Sequence, residues 1–122
     1  MPAFAKVSLV TPVFHPSDIA FVRAWSRVAP GRGGWQVQLD SDAAPERVSV
    51  LPPGAEEPLF VITKGARDVA LHRRRPAPGG ELVELERFEG LREAVLALCP
   101  IADEALEDIH TALERDFPRR GR

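Results

Sequence analysis

Two runs of alternating apolar and polar residues, 69–75 and 81–87, flank the segment Pro76-Ala77-Pro78-Gly79-Gly80, a pattern that predicts a β-hairpin. If Arg75 stands opposite Glu81, the period of two sets Arg73 against Val83, Leu71 against Leu85 and Val69 against Arg87. Val69, Leu71, Val83 and Leu85 then share one apolar face. The other face carries Ala70, His72 and Arg74 against Leu82, Glu84 and Glu86. Upstream, residues 35–39 and 47–51 alternate strictly, and residues 59–63 form a nearly continuous apolar run, so three further strands are expected. The connectors 40–45 and 52–58 are dense in Pro, Gly, Asp and Ala and short enough to be turns within one sheet. Together these predict an antiparallel meander of about five strands. Residues 6–14, with Val7, Leu9, Val10, Val13 and Phe14 interrupted by Pro12, read as a short additional strand confined by its proline to an edge.

The period is helical on either side of the meander. Ile19, Val22, Trp25 and Ala29 recur on one helical face, widened by Phe21 and Val28. Ser17 is the expected N-cap, Asp18 suits the positive end of the helix dipole, and Pro30-Gly31 stops the helix. After Phe88, Leu91, Ala94, Val95 and Leu98 fall at i, i+3, i+4 and i+7 before Pro100. A last helix, capped by Asp103, carries a wide stripe of Ile101, Ala105, Leu106, Ile109, Ala112, Leu113 and Phe117 up to Pro118. The fold class is therefore α+β: an N-terminal helix, the meander, and a C-terminal helical hairpin packed on one sheet face. All 122 residues fit one domain, with 118–122 as a frayed basic tail.

Composition changes the picture in one respect. Fourteen of the sixteen cationic residues are Arg, Tyr is absent, and Ala, Pro and Gly abound, the bias of a GC-rich coding sequence, so arginine abundance alone carries no functional meaning. With a formal charge of −2, basic residues spread among acidic ones do not produce the broad positive field of a nucleic-acid-binding surface. No apolar run approaches the ~20 residues that span a bilayer, and no secretory signal is read, so a cytoplasmic location is expected. The single cysteine, Cys99, forms no disulfide within the chain and suits a reducing compartment.

Candidate chemistry is sparse. His72, Arg73, Arg74 and Arg75 form the most conspicuous cluster, but alternation divides it between two faces, and His72 and Arg74 have Glu84 and Glu86 as acidic neighbours across the hairpin. Pro30-Gly31-Arg32-Gly33-Gly34 follows a helix and precedes a strand, the reverse of a phosphate-cradling loop, and reads as a turn. Glu107, His110 and Glu114 share a helical face, yet a bundle metal site needs a second such motif, which the chain lacks. Cys99 at a helix C-terminus is poorly placed for thiolate chemistry, and no serine stands in a nucleophile-elbow motif. No catalytic constellation, metal site or cofactor motif is expected.

Three functional readings follow. The first is a small cytoplasmic, non-catalytic binding or regulatory module acting through a protein–protein surface, self-association into a homodimer included. Its contacts would be the hairpin residues Arg73, Arg74 and Arg75 with His72, Glu84 and the rim residue Trp35, since Arg and Trp are common interface anchors. The second is a small-molecule-binding domain or enzyme whose anion pocket is built from His72, Arg74 and Glu84. The third is weak nucleic-acid binding through the arginine cluster and the tail residues Arg119, Arg120 and Arg122.

Overall fold

The computed structural model of the chain describes residues 12–75 and 80–118. It contains helix α1 (Pro16–Val28), strands β1 (Gln36–Asp40), β2 (Arg47–Leu51), β3 (Phe60–Lys64), β4 (Val69–Arg74) and β5 (Leu82–Phe88), and helices α2 (Leu91–Leu98) and α3 (Asp103–Asp116). The strands form one antiparallel sheet in the order β1-β2-β3-β4-β5, as the alternation predicts. Most of the strand expected over residues 6–14 lies outside the described residues, as do the central turn residues 76–79 and tail residues 119–122; residues 12–15 are irregular.

The helices cover the face bearing Val37 and Leu39, Val48 and Val50, Phe60 and Ile62, Val69 and Leu71, and Phe88. Period two decides this face in β1 and β2, whereas the continuous apolar run of β3 is silent on it. Phe21, Val22 and Trp25 of α1, Leu91, Ala94 and Val95 of α2, and Ile109 and Leu113 of α3 complete a single core. Each Val, Leu, Ile or Phe side chain among them, fully buried, contributes roughly 1.5–3 kcal/mol of transfer free energy. Trp25 has no exposed surface and donates from Nε1 to the Cys99 carbonyl at 2.9 Å, so α1 and the α2–α3 junction are held by a polar bond inside an apolar contact.

Three local expectations are corrected. Asp103 does not cap α3 but is its first residue, with Ala102 at the N-cap position and no side-chain cap. The N-cap of α1 is His15 and not Ser17: Pro16 occupies the first helical turn with its φ already set, and His15 Nδ1 accepts from the Ser17 amide at 3.0 Å. The expected hairpin register holds from Arg75, whose amide donates to the Glu81 carbonyl, through Arg74–Leu82, Arg73–Val83 and His72–Glu84. There a β-bulge intervenes, and Leu71 faces Glu86, Ala70 faces Arg87 and Val69 faces Phe88. Leu85 is the extra residue; it is 52% exposed and does not join the core face. The slip has a clear physical gain, because it delivers Phe88 instead of Arg87 to the position opposite Val69, in contact with the core.

Candidate functional site

The bulge also rearranges the charges. Placed opposite Ala70, Arg87 lies within 3.1 Å of Glu84 and 3.3 Å of Asp68. Glu84, by its hydrogen bond and charge, and then Asp68 push the Arg87 guanidinium above its ordinary range. Glu84 is thus paired with Arg87, and the expected pairing of His72 and Arg74 with Glu84 and Glu86 is replaced. His72 Nε2 lies 3.1 Å from Thr63 Oγ1 on the neighbouring strand. Arg74 donates from Nε to the Pro58 carbonyl at 3.4 Å and from Nη1 to that of Gly80 at 3.1 Å, bracing two loops. His72, Arg74 and Glu84 therefore share the sheet face opposite the helices, but each is directed to a different partner.

Arg73 lies on the other face, opposite Phe60 and Val83, and makes no ion pair or side-chain hydrogen bond among the described residues. Arg75 is 3.3 Å from Glu81 in an exposed pair that contributes little to stability. Arg73, Arg74, Arg75, Val83 and Leu85 line one open groove of about 310 Å³ at the end of the hairpin. Trp35 is elsewhere: it precedes β1, three strands across the sheet from β4, or about 14 Å at the usual strand spacing. It donates from Nε1 to the Pro30 carbonyl and packs on Trp25 with ring centroids 5.1 Å apart. The structure brings the three arginines together and sets His72, Glu84 and Trp35 apart from their groove.

A second concavity, of about 730 Å³, lies between the start of α1, α2 and the last turns of α3, lined by His15, Ser17, Arg92, His110, Glu114 and Phe117 with Leu113 and Pro118. Ser17 Oγ lies 2.7 Å from His15 Nδ1 and accepts from Arg92 Nη2 at 3.3 Å. Arg92 donates from Nε to Asp18 at 2.8 Å and spreads over the Phe21 ring, its central carbon 5.2 Å from the ring centroid. His110 stands against the same ring, 5.8 Å between centroids. The Ser17–His15 distance is that of a nucleophile and its base, but Ser17 is buried and the imidazole nitrogen it touches already accepts from a backbone amide, which makes the pair a helix cap. His110 and Glu114, read from sequence only as a helical face, belong to this cleft; Arg92 comes from the preceding helix, and His15 and Ser17 are separated from them by most of the chain. Among the described residues no three His, Cys, Asp or Glu side chains are grouped to hold a metal ion, and no helix is long and apolar enough to cross a membrane.

Comparison of the chain with family models, with curated proteins and with solved structures gives no match in any of the three.

Proposed function

We propose that the chain is a non-catalytic binding module that takes up an acidic, partly apolar segment of a partner protein on its β4–β5 hairpin. The observation that supports this reading is the groove itself. Exposed Leu85 and half-buried Val83 supply apolar contact beside the exposed Arg73 and Arg75, and Arg73 has no charge partner among the described residues. Arg is suited to this work because its planar fork binds a carboxylate by two parallel hydrogen bonds. The bulge supports it further: it leaves Leu85 without a core position, and bulges re-aim side chains at functional edges. A cytoplasmic setting belongs to the same reading, in keeping with the lone, unpaired Cys99.

The test places a photocrosslinking amino acid at position 85 and, as a control, at Gln38 on the far edge strand, in cells of the protein's own host. A discrete adduct formed from position 85, absent from position 38 and lost in the Arg73→Glu variant, is expected. A homodimer would give an adduct of twice the subunit mass, which identifies a second copy as the partner. Equal labelling from both positions, or an adduct indifferent to Arg73→Glu, overturns the reading.

A further inference from the structure

We propose that the cleft between α1, α2 and α3 binds a small amphipathic molecule. Its oxyanion, a carboxylate or a phosphate, is held by His15, Arg92 and His110 while its apolar part lies on Leu113 and Phe117. The site is independent of the hairpin groove and draws on neither its residues nor its proposed role.

The cleft has the volume of a small-molecule site, and such sites combine an apolar wall with a few convergent polar groups. The polar groups here are mostly donors. His15 Nδ1 accepts from the Ser17 amide, so the neutral imidazole carries its proton on Nε2 and has a donor to offer there. Of the five guanidinium N–H groups of Arg92, one on Nε and one on Nη2 are engaged by Asp18 and Ser17, while those of Nη1 have no partner among the described residues. His110 adds a third donor group from the opposite wall, and Glu114 is the single carboxylate of the lining. Arg92 is balanced by Asp18, so the site rests on the convergence of its donors and not on an excess of positive charge; α3, which forms one wall, also bears Asp103, Glu104, Glu107, Asp108 and Asp116 with Arg115.

Arg92 is set before any ligand arrives. Asp18 fixes its Nε edge, Ser17 fixes Nη2, and Phe21 lies beneath the plane, so little side-chain freedom remains to be lost on binding. Two donor-bearing rings beside a fixed guanidinium suit an oxyanion, whose oxygens accept several hydrogen bonds at once and more strongly than a single alcohol oxygen can. Leu113 and Phe117, four residues apart along α3 and its C-cap, supply the apolar contact.

The test follows backbone amide and imidazole resonances of the full chain during titration with phenylpropionate, phenyl phosphate and, as the neutral counterpart, phenylpropanol. Saturable shifts at His15, His110, Leu113 and Phe117 are expected with at least one of the two acids and not with the alcohol; the tighter acid identifies the oxyanion. His110→Ala, at an exposed position, should weaken that binding about fivefold, and Glu114→Gln, which removes the one like charge, should tighten it about threefold. His15 and Arg92 are left intact because His15 caps α1 and Arg92 ties α2 to α1. An alcohol that binds as well as the acids, shifts outside the cleft only, no saturation with either acid, or affinity unmoved by both substitutions in well-folded variants each overturn the proposal.

Discussion

Trp25 shows how one residue can carry two kinds of contact at once. Its ring fills the space between α1 and the sheet and meets Trp35, and its indole N–H satisfies the Cys99 carbonyl at the point where α2 ends. Trp25→Phe keeps an aromatic ring but leaves that part-buried carbonyl unpaired and the remaining volume partly empty. A loss of about 2–4 kcal/mol in urea unfolding is expected, from an unsatisfied group worth ~1–3 kcal/mol plus a cavity. A loss below about 1 kcal/mol would show that the hydrogen bond has a ready substitute. Residues with one role were mostly legible in the sequence: Phe21, Val22, Trp25 and Ala29 of the periodic apolar set are buried and Ile19 is half-buried, whereas Val28, expected to widen that face, is exposed. Residues in competition for a role were not. Ser17 is the better capping side chain in isolation, but with Pro16 taking the first helical position the cap falls one residue before it, where the available acceptor is an imidazole.

At the scale of elements, the strands and helices follow from period and punctuation, while the relation between two strands can turn on a single residue. Alternation through Leu82-Val83-Glu84-Leu85 fits an unbroken register, and nothing within β5 alone marks Leu85 as supernumerary. The mark lies at the far end, where an unbroken ladder would set Arg87 and not Phe88 over the core. A deletion experiment separates the two consequences of the bulge. Without Leu85, β5 pairs regularly while His72–Glu84, Leu71–Glu86 and Val69–Phe88 all remain partners, so the fold is retained. Unfolding free energy is expected to change by no more than about 1 kcal/mol, since the residue removed is exposed and outside the core. Crosslinking from a probe placed at Val83 of the hairpin groove should fall sharply in the same variant, because the groove loses its exposed apolar contact. A variant that unfolds would show that the bulge relieves strain in the hairpin, and one that keeps full crosslinking would remove Leu85 from the docking surface.

Across the whole molecule, contacts of long sequence separation are what the sequence left unread. The helical cleft is assembled from a cap at residue 15, an arginine at 92 and a helix end at 110–117, and no local pattern announces that these meet. The sheet is the opposite case: every strand pairs with its neighbour in sequence, and its order was legible from the alternation alone. This contrast raises the question of whether sheet and helices fold as one unit. α1 packs on β1, α2 and α3, and α2 on β4 and β5, so the N-terminal helix is buried by elements from both ends of the described chain. Trp25 and Trp35 both sit at that junction and report it by fluorescence, while far-ultraviolet circular dichroism reports the sheet and all three helices. Because a sheet without the helices would expose Val48, Val50, Ile62, Val69 and Leu71 together, the sheet has no stable existence apart from them. The urea curves from the two probes are therefore expected to superimpose, with one midpoint and one slope. A fluorescence transition that precedes the loss of circular dichroism would show instead that α1 undocks from a sheet able to stand alone, and would move the source of the sheet's stability away from the helical face.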